Sequence, residues 1–343
     1  MAIQWFPGHM HLTRQAILAR VKDGIDVVIE LLDARAPGSS ANPLIASLTQ
    51  DRATLKVLNK QDLADPARTE AWLAHYNSQP DTRAIGLDAS VTAPAQRLIT
   101  ACRELKPNRT GLDKPMRVLI CGIPNVGKST LINTLTGKRA AKTGDEPGIT
   151  KTEQRIALAK DFYLFDTPGM LWPKILVEQC GFHLAATGAV GRNAIEEEVV
   201  AEVLIGRLRR DYPGALEARY KLQAADTAAM NDAEMLIAIG RKRGAVLSGG
   251  RINLQKAAEI VLYEFRAGLL GRITLELPEE HLALMAAAEQ AEAALQAERL
   301  EKKRNRRGRS SRDAQPDGDT SGEHEVDSDS DSDSDSEGGG GEA

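Results

Sequence analysis

The sequence predicts an α/β fold, a mostly parallel sheet with helices on both faces, followed by a small all-α domain and a charged tail expected to be disordered. Three observations lead there. Short apolar runs such as residues 27–32 and 117–121 alternate with segments of helical spacing, the pattern of buried parallel strands joined by helices. A glycine loop, Gly122-Ile123-Pro124-Asn125-Val126-Gly127-Lys128-Ser129, stands between one such run and a helix. Beyond Pro173 strand signals fade and helical stripes take over.

Taken in order, Trp5 and Phe6 open a chain that is only 4% aromatic, and they are read as anchors of the N-terminal segment. Helical spacing covers 13–22, and 27–32 reads as a buried strand ending at Asp33-Ala34-Arg35. A short helix at 44–48 leads to a strand at 54–58, which runs into Asn59-Lys60-Gln61-Asp62. Asp65-Pro66 supplies an N-cap and a first-turn proline for a helix to about Tyr76. A third strand at 83–87, a helix at 95–105 and a linker at 106–114 precede the strand at 117–121, the glycine loop and a helix at 129–136. Residues 143–150 hold too much Gly and Pro for an element interior, while 156–158 and 162–165 suit a strand pair. Asn193 and Glu196 read as a capping box for a helix to about Arg210, with Ile195, Val199, Val203 and Leu208 as its core stripe. Further helices begin at Asn231 and about Leu254, and an alanine- and glutamate-rich helix at 279–299 projects outward. The expected division is an N-terminal segment and helix (1–22), a nucleotide domain (23–174), a helical domain (175–275), a helix with a basic extension (276–312) and an acidic tail (313–343).

At 343 residues the chain has room for two cores. No run of eighteen apolar residues and no signal-peptide pattern appears, and Cys102, Cys121 and Cys180 lack metal or disulfide spacing, so a cytoplasmic protein is expected. The net charge of −4 hides a polarity along the chain. Residues 313–343 hold twelve acids and no Lys or Arg, leaving +8 on 1–312, of which +7 lies in 299–312. Two readings of that basic run stay open, a solvated disordered segment and a polyanion-binding arm. The Asp-Ser repeat and glycines after it carry too little apolar surface to fold.

The chemistry starts at the glycine loop, a GxxxxGKS pattern. Its backbone N–H groups suit a triphosphate, Lys128 would reach the β and γ phosphates, and the Ser129 hydroxyl would ligate magnesium. Asn59-Lys60-Gln61-Asp62 is an NKxD motif at the carboxyl end of a strand, where open α/β sheets bind ligands. Asp62 can accept from guanine's ring N–H and exocyclic amine, Asn59 can tie down the phosphate loop, and the Lys60 stem can cover the base. Adenine lacks that donor pair, and a site left with an unpaired carboxylate discriminates by about 10⁴. At Asp88-Ala89-Ser90 the backbone N–H groups of Ala89 and Ser90 suit the base carbonyl, although an ordinary turn and helix cap explains these residues as well. Thr150 fits a first switch reaching magnesium and the γ phosphate. Asp166 and Gly169, in Asp166-Thr167-Pro168-Gly169, fit a second, with Asp166 holding a magnesium-bound water. The candidate nucleotide residues are therefore Asn59, Lys60, Gln61, Asp62, Ala89, Ser90, Asn125, Val126, Gly127, Lys128, Ser129, Thr130, Thr150, Asp166 and Gly169.

The order of these motifs is permuted relative to ordinary small GTPases, in which the phosphate loop comes first and the guanine-reading motif late: here the base-reading motifs precede the phosphate loop. The fold class is accordingly a circularly permuted P-loop GTPase domain. The chain resembles the YlqF-type ribosome biogenesis GTPases through Trp5-Phe6-Pro7-Gly8-His9-Met10, Asp33-Ala34-Arg35, Asn59-Lys60-Gln61-Asp62, the Gly-x-Pro-Asn-Val-Gly-Lys-Ser loop and Asp166-Thr167-Pro168-Gly169, over about 1–275. The resemblance implies a GTPase acting late in large ribosomal subunit assembly, with a helical domain contacting ribosomal RNA and no membrane partner. Met170 stands where many GTPases carry a water-orienting glutamine, so slow hydrolysis until stimulated is expected, and the resemblance points to His9 as the catalytic residue. From the residues alone His9 reads equally as a surface histidine beside an aromatic anchor. Asn125 resembles an asparagine that binds potassium beside the phosphates in related GTPases, and a loop-stabilising role is the alternative. An RNA-binding factor using GTP as a structural clamp, and a permuted GTPase acting on another RNA, are the competing functions.

Overall fold

The computed structural model of the chain describes residues 9–88, 94–109, 111–136, 154–191 and 195–310, with side chains as far as 302. Among the described residues six strands form one sheet: β1 Val27–Asp33, β2 Ala53–Asn59, β3 Thr82–Leu87, β4 Met116–Gly122, β5 Gln154–Ala159 and β6 Phe162–Asp166. Their spatial order is β3-β2-β1-β4-β6-β5, and every pair is parallel except β5 with β6. Strands 1 to 3 step outward on one side of β1, and β4 then returns to its other side. The order reverses there, and such a switch point opens a crevice at the carboxyl ends of the strands.

β1 lies at the centre of the sheet and is buried along its whole length, which is why its sequence shows no alternation. Each fully buried Val, Ile or Leu in it contributes about 1.5–3 kcal/mol. The acid inside the strand, Glu30, pairs with Lys56 and accepts from the Asn42 N–H at 2.7 Å, so its burial is compensated.

Short local signals set the connecting helices. α1 is His9–Lys22, α2 is Pro43–Leu48, α3 is Pro66–Asn77, α4 is Ala95–Leu105 and α5 is Lys128–Thr136. Asn42 caps α2 and Asp65 caps α3 by accepting first-turn N–H groups, each ahead of an N1 proline. A small core of Leu32, Leu58, Trp72 and Tyr76 lies between α3 and the sheet.

After β6 come α6 Glu178–Thr187, α7 Glu197–Asp211, α8 Ala215–Tyr220, α9 Ala224–Thr227, α10 Asp232–Lys242, α11 Leu254–Arg266 and α12 Pro278–Ser310. Asn231 and Glu234 form the capping box of α10. α7 departs from expectation. It starts at Glu197 with Glu196 as N-cap and no side-chain cap bond; Asn193 lies outside the described residues. Its buried face is Val200, Ala201, Leu204, Ile205 and Leu208, while Val199 is exposed. Apolar residues at 199–201 and 203–205 fit two stripes one residue apart, and packing against α11 and α6 selects the second.

Up to Glu292 the chain forms one compact unit, and residues from Ala293 belong to a second. A single apolar cluster runs from Ile29 and Leu119 in the sheet to Leu184, Leu204 and Phe265 in the helices. The helical half therefore shares a core with the sheet. The acidic tail lies outside the described residues.

A buried polar knot fastens the segment before α12. The Glu276 carboxylate accepts from the Ser39 N–H at 2.7 Å and the Ser39 hydroxyl at 2.5 Å, and pairs with His183 at 3.0 Å and His281 at 3.6 Å. Burial alone would lower the pKa of His281, but Cys180 and Glu276 outweigh it and push it up to about 10. A raised folded-state pKa contributes stability in full below the unfolded value of 6.5, and that contribution is lost as pH rises towards about 10. The melting temperature is expected to fall across this range, and His281→Gln should flatten the fall. The same slope in the variant would contradict this role.

Candidate functional site

The candidate nucleotide site sits where β1, β2 and β4 end. The phosphate loop leaves β4 at Gly122 and opens α5 at Lys128, so the helix N-terminus and the loop N–H groups face the same anion. Asn125 and Gly127 adopt positive φ, 58° and 97°. A Cβ on Gly127 would run into the Asn59 side-chain nitrogen, so glycine is required there by backbone conformation and by space.

Asn59, the last residue of β2, donates its side-chain amide to the Val126 carbonyl at 2.7 Å. This is the tie between base motif and phosphate loop that the sequence suggested. Lys60 follows in the left-handed region, which costs a non-glycine residue about 1–2 kcal/mol. Its ammonium donates to the Asn125 carbonyl at 2.8 Å and to Asp33 Oδ2 at 3.0 Å, so the turn is held from both sides. Gln61–Leu63 is a single 3₁₀ turn. Asp62 is exposed and makes no hydrogen bond or ion pair among the described residues, which leaves its carboxylate available to a base. The Gln61 side chain crosses β3 where Gly86 has no Cβ to obstruct it.

Sequence reasoning gave Asp33 and Arg35 no role at the site beyond marking a strand end. Arg35 grips Asp33 through Nε at 2.9 Å and Nη2 at 2.8 Å, and stacks over Phe265. Burial would raise the Asp33 pKa, but Arg35 and Lys60 hold its carboxyl far below the usual carboxylate range. Burial also lowers the Lys60 pKa, with Asp33 opposing. Asp33 thus anchors Lys60 at the end of β1. The available signal was an acid and a base two residues apart at the end of a strand that is apolar but for Glu30.

Lys128 and Asp166 form a buried ion pair between α5 and the end of β6. A triphosphate would draw Lys128 to its phosphates and leave Asp166 to a magnesium-bound water. Asp166 and the Ser129 hydroxyl at the first turn of α5 are hard oxygen donors, which suits magnesium held mainly by phosphates, water and one or two protein ligands. Beyond β6, Thr167 and Met170 donate their N–H groups to the Ile120 and Gly122 carbonyls at 3.3 and 3.1 Å, and a Cβ on Gly169 would stand 3.0 Å from the Pro124 backbone. The Met170 side chain is fully buried. Asn125 donates its amide to the Gly188 carbonyl at the end of α6, 2.9 Å away, so the phosphate loop touches the helical half directly.

Ala89, Ser90 and Thr150 lie outside the described residues, as does the His9 side chain. His9 is the first residue of α1, and the next residue, Met10, accepts the Leu171 N–H on its sulfur at 3.4 Å. The start of α1 is therefore adjacent to the chain just beyond Met170.

Comparison with known proteins agrees with this geometry. A family described as 50S ribosome-binding GTPase matches residues 117–245, and one described as RsgA GTPase matches 9–175. A ribosome biogenesis GTPase A of Bacillus cereus is 42% identical over 82% of this chain and 95% of its own length. A mitochondrial ribosome-associated GTPase 1 of Mus musculus is 31% identical over 80% of this chain and 90% of its own. The structure of a GNP-bound YlqF from T. maritima superposes with a TM-score of 0.57 at 25% identity, covering 78% of this chain and 98% of that one.

Removing the Asn59 tie leaves the buried Val126 carbonyl without that donor, a loss of about 1–3 kcal/mol. Asn59→Ala is expected to weaken GDP and GTP binding alike by about tenfold or more. Titration with a fluorescent GDP checks this, and wild-type affinity would refute the tie.

Proposed function

Since the chain belongs to the ribosome biogenesis GTPase A family and hydrolyses GTP, we propose that it acts at a late step of large ribosomal subunit assembly. The GTP-bound form docks on the pre-subunit and hydrolysis releases it. The observation that carries this reading is that the second switch continues directly into a helical half sharing one core with the nucleotide sheet. A change at the γ phosphate therefore has a short covalent route to a separate surface.

That surface carries charge suited to RNA. No acid occurs between Glu234 and Glu259, and the end of α10 with the turn after it exposes Arg241, Lys242 and Arg251. Arg243 is taken up by Glu264 at 2.8 Å and Lys256 by Glu259 at 3.1 Å, whereas the other three form no ion pair among the described residues. Exposed cations of this kind meet phosphate and release counterions. The description of the matched family as 50S ribosome-binding supports the large subunit as partner.

In the reaction, Asp62 reads guanine, Lys60 and Asn59 hold the base turn against the phosphate loop, and Lys128 binds the β and γ phosphates. The Ser129 and Thr150 hydroxyls would hold magnesium, with Asp166 on a water it binds, and the ion would offset phosphate charge. A buried Met170 cannot orient water, and the nearness of α1 to Leu171 supports His9 as the residue that does.

Sedimentation with ribosomal subunits tests the partner. Co-sedimentation with large subunits is expected with a non-hydrolysable GTP analogue and reduced with GDP, while binding to neither subunit would remove the assembly reading and leave the GTPase intact. Equal binding with both nucleotides would favour a structural clamp. His9→Ala is expected to keep GTP affinity and lose subunit-stimulated hydrolysis by at least about 10²-fold. An unchanged rate in a single-turnover assay with large subunits present would return His9 to a surface role.

A further inference from the structure

The segment that follows α11 turns back from the helical half to the end of the sheet and lies against the base-reading turn. Gly268 begins it with φ 73°, a left-handed conformation that favours glycine, and a Cβ there would press on Leu63 Cδ2 at 2.7 Å. The Ile273 N–H then donates to the Leu63 carbonyl at 3.0 Å. Thr274 donates its hydroxyl to the Ala34 carbonyl at 2.9 Å and accepts from the Asp65 N–H at 3.1 Å. Leu275 N–H closes on the Arg35 carbonyl at 2.7 Å.

Arg272 makes a different contact. Its Nε donates to the Ala64 carbonyl and its Nη2 to the Gln61 carbonyl, both at 2.9 Å. Those carbonyls lie on either side of Asp62 and Leu63, so one rigid guanidinium spans the turn that carries the acid facing the base. Outside contacts hold the turn at its ends and middle: Lys60 is fixed by Asp33 and the Asn125 carbonyl, and the Leu63 carbonyl accepts the Ile273 N–H. Its internal bonds are Leu63 N–H to the Lys60 carbonyl at 3.0 Å and Ala64 N–H to the Gln61 carbonyl at 3.3 Å, and the Asp62 side chain contributes none among the described residues.

We infer that Arg272 is a positioning residue for guanine recognition: reaching from the helical half, its guanidinium fixes the two carbonyls that flank Asp62 and thereby the direction of the Asp62 carboxylate. The planar fork matters, since a lysine offers one point of contact where this site uses two. Arg272 is itself exposed, so its share of the core is small and its effect concentrates on the turn. The inference rests on the reading of Asp62 as the guanine acceptor.

The test uses the full chain and two probes, GDP and inosine diphosphate, which lacks the exocyclic amine that Asp62 would bind. Arg272→Ala is expected to weaken GDP binding by about three- to tenfold and inosine diphosphate binding less, so that the preference between them shrinks. Arg272→Lys should restore part of that preference, and it is read in the same way should Arg272→Ala not fold. In an Asp62→Ala background the preference is already lost, and adding Arg272→Ala should take nothing further from it. Equal weakening of both probes, or none, overturns the positioning role while leaving Asp62 as the base reader. An Asp62→Ala variant that keeps its preference for GDP overturns both.

Discussion

The hydrogen bond from Asn59 to the Val126 carbonyl joins two halves of a site that the chain builds far apart in sequence. β2 delivers the base motif and β4 the phosphate loop, with β1 between them in the sheet. Only a side chain reaching over the end of β1 can fix the distance between base and phosphate. Asp33, at that end of β1, supports the bridge from beneath by holding Lys60, whose ammonium also reaches the loop at the Asn125 carbonyl. The buried charges are affordable because Arg35 satisfies both Asp33 oxygens in the same plane.

The helical half touches this frame in three places. Asn125 binds the end of α6, Arg35 stacks on Phe265 of α11 and reaches the Arg266 carbonyl, and the strap after α11 lies along the base turn. Arg266 in turn holds the Ala185 and Ala186 carbonyls at the end of α6. Phosphate loop, base turn and helices are thus joined by contiguous contacts, along which a nucleotide state could act on a distant surface.

What the sequence disclosed follows from locality. The strands were legible because buried parallel strands are uninterrupted apolar runs, and the caps of α3 and α10 because Asp65-Pro66 and Asn231 with Glu234 act within one turn. Glycine spacing and the Asn59 to Asp62 tetrapeptide were legible because their chemistry needs fixed residue types, and Asn59 duly reaches the loop. The phase of α7 was not, since its apolar residues occupy two overlapping stripes and only the neighbours choose between them. Nor was the strap: Arg272, Thr274 and Glu276 act on residues more than two hundred positions away, and no local pattern marks a polar residue whose partner is that distant. The alternation of polar and apolar residues from Arg272 to Glu276 would suggest one face inward, but Ile273 to Glu276 are all buried, the polar ones through partners distant in sequence.

Met170 is buried where a water-orienting group commonly stands, so under the proposed reading His9 takes that task and docking on the subunit stimulates it. The most direct measurement is the rate of GTP turnover by the full chain alone and with purified large ribosomal subunits, small subunits serving as the control. The account predicts slow turnover alone and an increase of at least about tenfold with large subunits only, within the range that supplied groups provide in this chemistry. Turnover that is fast without subunits, or unchanged by them, would contradict it.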